Sequence, residues 1–205
     1  MKVSAILLGA GESKRMGFDK LSLPYRKKTI LGHCLDVLLR SKVKEVVVVL
    51  SDRTREMRSR LEGQRVKIVM NPYYKKGMST SIRRGIQAID PGSQGILIAL
   101  GDQPFLKMRT VNALIHAFTK REGKIIIPSF RRRRGNPVIF DKKYEEELLR
   151  LKGDRGGKSI IEKHPRDVRR VPVKSEGVVK DVDTWKEYKK GFKMGHERKR
   201  SERVI

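Results

Sequence analysis

The chain has little cysteine, which removes one whole class of stabilising bonds. Of 205 residues only Cys34 is a cysteine, so no disulfide can form within the chain. Cys34 lies inside an apolar helical pattern, "TILGHCLDVLL". This setting predicts a buried structural thiol rather than a reactive nucleophile.

Long apolar runs are also missing. No run approaches the ~18 residues that a membrane-spanning helix requires. The apolar stretch after Lys2 is short and leads straight into a glycine-rich loop, which does not fit a secretory signal. We therefore expect a cytoplasmic protein that makes no contact with membranes.

Acidic and aromatic residues are scarce as well. Asp and Glu number 23 against 49 Lys and Arg, which gives a formal net charge of +26, and aromatic residues make up 6%. Such a charge suits either a nucleic-acid binder or an enzyme with anionic substrates. The aromatic residues do not interleave with basic ones to form a base-stacking platform. The pattern favours the enzyme, while nonspecific association with RNA stays open as an alternative.

What the sequence does contain is a regular alternation of apolar and amphipathic segments. Nearly continuous apolar strands separated by helices are typical of a mostly parallel sheet in an α/β fold. The predicted strands are 2–8, 44–50, 66–70, 95–100 and 124–128, and the predicted helices between them are 29–41, 53–62, 79–89 and 107–121.

The last third of the chain has a different pattern. It predicts a turn and short strand over 131–140, a helix over 141–151 with Asp141 as its N-cap, and a strand over 169–173. No linker-like segment divides the sequence, so we expect one domain over 1–190. The remaining residues, 191–205, are expected to form a basic, flexible tail.

Two glycine-rich segments resemble familiar phosphate-binding motifs without matching them. In "LGAGESKRMGFDK" (8–20), Lys14 stands where the dinucleotide fingerprint needs its third glycine. The segment "GDRGGKS" (153–159) has three residues, not four, between its first glycine and the Gly-Lys pair, and it follows a predicted helix. Neither segment therefore supports its motif.

The first of these loops still has the properties of an anion site. A glycine-rich turn after a first strand exposes backbone N–H groups at the sheet edge where α/β proteins bind ligands. Arg15 and Lys20 add two cations to the same loop, and both residue types bind phosphate. An ordinary strand-to-helix loop with solvated basic residues is the alternative, and this loop alone does not decide between them.

Carboxylates follow two of the later predicted elements. Asp102 comes directly after strand 95–100, where it is placed either to bind Mg²⁺ together with substrate phosphates or to cap the next helix. Asp181 and Asp183 close a predicted late strand, which would put both on one face. Asp183 is equally placed to cap a helix.

Three hydroxyl residues stand at the start of the predicted helix 79–89. One of Ser79, Thr80 and Ser81 is expected to cap that helix, whose N-terminus can also face a nucleotide. The four histidines show no metal-ligand spacing, so we expect none of them to be catalytic.

These motifs together resemble those of the molybdenum cofactor cytidylyltransferases, within the wider MobA-like nucleotidyltransferase family. The family's opening motif is L-A-A-G-x-S-x-R-M-G-x-x-K, and residues 8–20 match it except at Gly9, where the cytidylyl branch usually has alanine. Further segments similar to family landmarks follow in family order over roughly residues 1–190: "GMSTSIRRGI", "GDQP", "RGNPVIF", "GDRGGKSII" and "DVDTW".

The resemblance implies a three-layer α/β/α sandwich with a Rossmann-like sheet. Its nucleotide-binding half would span about 1–105 and its acceptor-binding half about 106–190. The implied enzyme is a Mg²⁺-dependent monomer that transfers CMP from CTP to molybdopterin or its molybdenum-loaded form and releases pyrophosphate, with a molybdoenzyme apoprotein as a further partner. Three alternatives stay open: GTP as donor, a sugar phosphate as acceptor, and a noncatalytic cofactor carrier or nucleic-acid binder.

The resemblance also implies roles for individual residues. The catalytic group is Arg15, Lys20 and Asp102, and the Mg²⁺ ligands are Asp102 and Asp183, with Asp181 as a weaker candidate. The position of Gly9 helps the family to discriminate between bases. The nucleotide-binding set is Leu8, Gly9, Ala10, Gly11, Arg15, Lys20, Ser79, Ser81 and Asp102, and the acceptor-binding set is Gln103, Pro104 and Asn136.

Overall fold

The structure is a computed structural model that describes residues 1–12, 16 and 19–190. The predictions for Arg15 and for the tail over 191–205 lie outside the described residues. The strands are β1 Val3–Gly9, β2 Pro24–Tyr25, β3 Lys28–Thr29, β4 Glu45–Leu50, β5 Lys67–Met70, β6 Gly95–Leu100, β7 Ile125–Phe130, β8 Arg133–Arg134, β9 Val138–Asp141 and β10 Val168–Pro172. The helices are α1 Ile30–Leu39, α2 Met57–Leu61, α3 Met78–Ile86, α4 Met108–Thr119, α5 Glu145–Leu149 and α6 Lys158–Lys163, and residues 185–190 are also helical.

The main sheet has the order β10-β7-β9-β6-β1-β4-β5, with β8 paired to β7. Strands β6, β1, β4 and β5 run parallel to one another, which confirms the predicted α/β fold. The short strand β9 lies between β6 and β7 and is antiparallel to both. The late element predicted only as a turn and short strand therefore joins the two parallel parts of the sheet.

Helices cover both faces of the sheet, because alternate residues of the buried strands point in opposite directions. On one face Ala5 and Leu7 of β1 pack in a cluster with apolar residues of α1, α2 and α4. On the other face Ile6 and Leu8 pack with apolar residues of α3, α5 and α6. The result is the three-layer α/β/α arrangement that the resemblance implied.

Several local predictions are confirmed and two need correction. Cys34 is buried, its Sγ lies 3.3 Å from the Gly101 carbonyl oxygen, and burial raises the pKa of the thiol, so it is structural as predicted. Asp141 accepts a hydrogen bond from the Lys143 N–H at 3.0 Å, as a cap should. The predicted helices 53–62 and 141–151 are shorter, because 3-10 turns over Asp52–Thr54 and Lys142–Tyr144 precede α2 and α5.

The strand expected to end in Asp181 and Asp183 is absent: residues 179–183 form no strand. The Val182 N–H donates to the Asp102 carbonyl oxygen at 2.9 Å instead, so this segment is tied to the loop after β6 rather than to a strand. The two carboxylates therefore do not share a face of the sheet. Among the described residues, no helix is both long enough and apolar enough to cross a membrane.

Candidate active site

The carboxyl ends of β1 and β6 meet at one edge of the sheet, since the two strands pair in parallel with Leu8 opposite Leu100. The loops that follow these strands form one wall of a cleft, and the start of α3 forms the other. We call it the edge cleft. Its lining residues are Leu8, Ala10, Gly11, Glu12, Lys20, Leu21, Tyr74, Lys75, Gly77, Met78, Ser81, Leu100, Asp102 and Asp154.

Lys20 lies between two carboxylates at the base of this cleft. Its Nζ is 2.6 Å from Asp102 Oδ2 and 2.7 Å from Asp183 Oδ1. Burial by itself lowers the pKa of Lys20, but the charges and hydrogen bonds of the two carboxylates outweigh burial, and the pKa is raised. Residues separated by up to 163 positions in sequence thus form one charged cluster with the ammonium at its centre.

Local structure fixes both ends of this cluster. The Asp19 carboxylate accepts from the Leu21 N–H at 3.0 Å and so caps the 3-10 turn that carries Lys20. After Asp183, the Thr184 Oγ1 accepts from the Glu187 N–H, and the Glu187 carboxylate accepts from the Thr184 N–H at 2.8 Å. This is a capping box, and it leaves the Asp183 side chain to face Lys20 rather than to cap the helix.

The donor set at this point suits a divalent cation. The Oδ1 of Asp102 is buried and has no hydrogen-bond partner among the described residues, although buried carboxylate oxygens are normally satisfied. Asp183 supplies a second carboxylate on the other side of the same ammonium. Mg²⁺ is commonly held by one or two carboxylates plus substrate phosphates, so Asp102 and Asp183 fit such an ion.

Gln103 and Asp181 form a separate hydrogen bond beside the cluster. The Gln103 Nε2 donates to Asp181 Oδ1 at 2.6 Å, and Gln103 is 2% exposed. Burial raises the pKa of Asp181, and the nearby charges of Asp102 and Asp183 raise it further, against the lowering effect of the Gln103 hydrogen bond. Residues 102–107 and 179–183, joined by this bond, form a dividing wall behind the edge cleft, and Pro104 lines the groove on its far side.

The glycine loop contributes to the cleft through alternate residues. Leu8 and Ala10 line the cleft, whereas a side chain at Gly9 would point the other way and meet Leu31 and Leu50 at 3.2 Å. A side chain at Gly11 would meet no described atom within 4 Å. A residue at position 9 therefore faces the core under α1, not a ligand in the cleft.

None of the three hydroxyl residues caps α3, which corrects that prediction. The Met78 N–H donates to Asp154 Oδ1 at 2.8 Å and the Ser79 N–H to the Gly153 carbonyl at 3.0 Å. This cap needs close backbone approach, because a Cβ at Gly77, where φ is 101°, would lie 2.6 Å from the Gly153 carbonyl carbon. The segment 153–159, which resembled a P-loop, thus caps the N-terminus of α3 at the cleft.

The two serines proposed as nucleotide ligands differ in position. Ser81 lines the cleft, and its Oγ accepts from Asn71 Nδ2 at 2.8 Å. Ser79 is 1% exposed and its Oγ has no hydrogen-bond partner among the described residues. Only Ser81 is therefore placed at the cleft surface.

Comparison with protein families decides the class of molecule to which this site belongs. The model of the MobA-like NTP transferase domain matches residues 5–168, which include the glycine loop, the carboxylate after β6 and the cap of α3. The chain belongs to the MobA-like NTP transferase family. This membership supports nucleotidyl transfer as the class of reaction.

Individual relatives have several functions. The chain is 30% identical over 191 residues to the nicotine blue oxidoreductase of Paenarthrobacter nicotinovorans (89% of this chain, 92% of that protein). It is 29% identical to the purine catabolism protein PucB of Bacillus subtilis, with the same two coverages. It is 27% identical over 141 residues to the molybdenum cofactor cytidylyltransferase of Escherichia coli (68% of this chain, 70% of that protein).

Solved structures share the fold. The crystal structure of Rv0371c from Mycobacterium tuberculosis matches with a TM-score of 0.85 and 27% identity, covering 94% of this chain and 98% of that chain. A manganese complex of Rv0371c matches with a TM-score of 0.79 and 26% identity, covering 94% and 99%. A divalent metal therefore accompanies this fold in a similar protein.

A second cleft adjoins the edge cleft and shares Met78, Leu100 and Asp154 with it. Its floor is apolar, and three cations and Asn136 also line it. The family resemblance had singled out Asn136 alone for this region. The other lining residues are Ile82, Ile98, Arg134, Val138, Phe140, Arg155, Gly156, Gly157, Lys158 and Ile161.

Sequence reasoning missed three residues that shape this family site. Asp154 is separated from the helix that it caps by 76 positions, and no local pattern reveals such a contact. Tyr74 lines the edge cleft from a 3-10 turn before α3, where the sequence predicts only a loop. The capping role of Glu187 could have been predicted, because Thr184-x-x-Glu187 is the pattern of a capping box.

Proposed function

We propose that this protein transfers CMP from CTP to the terminal phosphate of a molybdopterin-type acceptor. The observation that carries the proposal is the Asp102–Lys20–Asp183 cluster at the base of the edge cleft, 2.6 and 2.7 Å across its two ion pairs. The motif order of the family and the similarity to a molybdenum cofactor cytidylyltransferase support cytidylyl transfer in particular.

In the proposed reaction an acceptor phosphate oxygen forms a bond to the α-phosphorus of CTP, and the bond from that phosphorus to the β-phosphate oxygen breaks. The electron pair of the broken bond leaves with pyrophosphate. The acceptor phosphate is already ionised at neutral pH, so no protein group has to remove a proton. The chain's task is to position the two anions and to balance their charge.

Lys20 is the described residue best placed for charge balance, and Arg15 has the same proposed role from the sequence alone. Asp102 and Asp183 would hold Mg²⁺, which supplies neutralisation of charge on the α- and β-phosphates when bound. The nucleotide would lie along Leu8, Ala10, Gly11 and Ser81. The side chain at position 9 faces Leu31 and Leu50, so we propose that glycine there leaves the preference for CTP unchanged.

The second cleft is the proposed acceptor site. It joins the edge cleft at Met78 and Leu100, which would bring an acceptor phosphate next to the triphosphate. Its apolar floor suits a planar ring system, and Arg134, Arg155 and Lys158 at its rim suit attached anionic groups. Asn136 belongs to this cleft, whereas Gln103 is buried and Pro104 lines the far side of the wall. We therefore give those two residues supporting roles.

The test measures pyrophosphate released from CTP, GTP, ATP or UTP with Mg²⁺ and molybdopterin, and again with a sugar phosphate as acceptor. We expect release with CTP and molybdopterin. The absence of acceptor-dependent release from every triphosphate would refute nucleotidyl transfer. One relative is named an oxidoreductase, so the same preparations should be checked for oxidation of NADH or NADPH, which we expect to be absent.

A further inference from the structure

A groove lies on the far side of the dividing wall from the edge cleft. Tyr25, Phe105, Leu106 and Phe130 contribute apolar surface to it. Met108 stands in the same groove with 39% of its surface exposed, although large apolar side chains are mostly covered in a folded chain. We call this the basic groove, and the proposed nucleotidyl transfer makes no use of it.

Cations outnumber carboxylates around this groove. Both of its carboxylates are already paired: Asp36 lies 2.7 Å from Lys28, and Glu176 lies 2.6 Å from Lys180. His33 adds no charge at neutral pH, because burial and the nearby Arg26 lower its pKa. The six cations of the lining are Arg26, Arg40, Lys107, Arg131, Lys174 and Lys180, so the groove carries a strong positive excess.

Two of these arginines occupy backbone positions that normally require glycine or asparagine. Arg26 has φ of 56° in the two-residue turn between β2 and β3. Arg131 and Arg132 have φ of 47° and 66° in the two-residue turn between β7 and β8. Such turns strongly favour Asn-Gly or glycine, and residues with other side chains at positive φ are strained there.

The strain recurs on two hairpins that are far apart in sequence but meet at one groove. In each, the guanidinium lies over the ring of the preceding residue, Arg26 at 5.8 Å from the Tyr25 centroid and Arg131 at 5.3 Å from that of Phe130. Neither Arg26 nor Arg131 has a carboxylate within ion-pair distance among the described residues. Strained backbone clusters at functional sites, so Arg26 and Arg131 are candidates for a binding role.

We propose that the basic groove docks an acidic, partly apolar segment of a partner protein. Charge complementarity selects an anionic occupant, and the exposed Met108 with the half-buried Phe105 and Phe130 selects one that also brings apolar side chains. Single-stranded RNA fits less well, since it needs open ring faces. Tyr25 is 4% exposed and the cations lie over Tyr25 and Phe130.

The groove also borders the proposed reaction site. Phe105, Lys107 and Lys180 lie in or beside the two segments that carry Asp102 and Asp183. A docked segment would therefore rest against the back of the edge cleft without entering it. The docking proposal does not depend on which reaction that cleft performs.

The experiment measures fluorescence anisotropy of a labelled synthetic peptide of alternating Glu, Asp, Leu and Phe, at about 0.15 M salt, where long-range attraction between exposed charges is screened. We expect saturable binding, and none of a matched peptide with Gln and Asn in place of the acids. The variant Arg26→Gln with Arg131→Gln should weaken binding at least about tenfold. The variant Arg65→Gln with Arg166→Gln, which removes the same charge at exposed sites outside the groove, should not.

Two further variants test the groove if the first variant folds poorly. Met108→Glu should also weaken peptide binding, by adding a like charge at an exposed position. Arg131→Asn with Arg132→Gly should raise Tm by relieving the turn, while binding falls. Equal loss in the Arg65 and Arg166 control, or no peptide binding by the wild-type chain, would overturn the proposal. Tighter binding of a labelled oligouridylate, lost in the groove variants, would overturn it in favour of RNA.

Discussion

On one side of the dividing wall, Lys20 lies between Asp102 and Asp183 at the base of the edge cleft. On the other side, the basic groove holds Arg26 and Arg131 on strained turns, and neither has a carboxylate partner within the part of the chain that the structure describes. In the cleft the ammonium already has two carboxylate partners before a substrate arrives, so a ligand there must exchange one set of partners for another. The groove has charge left over, so an anionic ligand there only has to dock. The two regions therefore predict different responses to the removal of a charge.

Asp102→Asn should have the largest effect, because it removes a proposed metal ligand and leaves the shape of the cleft intact. We expect pyrophosphate release to fall by about 10²–10³-fold or more, with unchanged circular dichroism. Peptide binding in the basic groove should be unaffected. Activity near that of wild type would remove Asp102 from the mechanism, and the Arg26→Gln with Arg131→Gln variant, expected to retain turnover, is the reciprocal control.

Lys20→Met tests whether the ammonium occupies the place between the two carboxylates in the absence of ligand. Removing the ammonium leaves two carboxylates facing one position, so Mn²⁺ should bind the nucleotide-free variant about tenfold more tightly than wild type. CTP binding should weaken at the same time. Calorimetry with Mn²⁺ alone and with CTP alone measures both effects. Lys75→Met is the matched control, since Lys75 lines the same cleft and should leave Mn²⁺ affinity unchanged.

The raised pKa of Lys20 predicts how the stability difference between wild type and Lys20→Met changes with pH. Because the folded value lies above the ordinary 10.5, the stabilisation from the charged cluster is present below that pH. It is lost as the pH rises through the folded value. The difference in stability between wild type and Lys20→Met should therefore shrink above about pH 10.5. A constant difference from pH 8 to 12 would show that the ammonium is not the stabilising group.

Ser81→Ala and Ser79→Ala form a matched pair within the cleft. Ser81 lines it and Ser79 does not, so Ser81→Ala should raise KM for CTP about tenfold, the cost of one lost hydrogen bond. Ser79→Ala should leave KM unchanged and Tm equal or slightly higher, because the buried Ser79 Oγ has no partner among the described residues. The reverse order of the two KM values would return Ser79 to the proposed binding set.

Much of the fold was accessible from sequence because its signals are local. The apolar runs of β1, β4 and β6 and the helices between them follow from periodicity alone. The position of β9 in the sheet could not be predicted, since the sequence of a four-residue strand does not show which strands it pairs with. The same limit applies to the site: Asp102 was found beside its strand, but the contacts of Asp183 and Asp154 depend on residues far away in the chain.

The basic groove shows a different limit. Composition alone indicated no surface with interleaved basic and aromatic residues, because Tyr25, Phe105 and Phe130 are far apart in sequence and meet only in the folded chain. The strain was equally invisible, since "YRKK" predicts only exposed charge and "RRRRGNPVIF" predicts a turn without its backbone angles. Positive φ at an arginine is a property of the hairpin register, which depends on the pairing of Tyr25 with Lys28 and of Phe130 with Arg133.

Asp181→Asn should have the smallest effect, and it tests the wall between the two regions. The raised pKa of Asp181 means that the ionised carboxylate is disfavoured in the folded chain. This cost is fully present above the folded pKa and absent below the ordinary value of 3.8. The amide of asparagine can still accept from Gln103. The variant should therefore be slightly more stable at pH 7, by on the order of 1 °C in Tm.

That advantage should disappear as the pH falls below about 3.8, the ordinary pKa, since wild-type Asp181 is then neutral in both states. Turnover and peptide binding should change little, because the Asp181 carboxylate bonds to Gln103 and not to Lys20, and it does not line the basic groove. Thermal unfolding of both proteins from pH 3 to 8 measures the effect. A lower Tm for the variant at pH 7, with a loss of turnover comparable to that of Asp102→Asn, would instead place Asp181 among the metal ligands. The dividing wall would then be part of the active site.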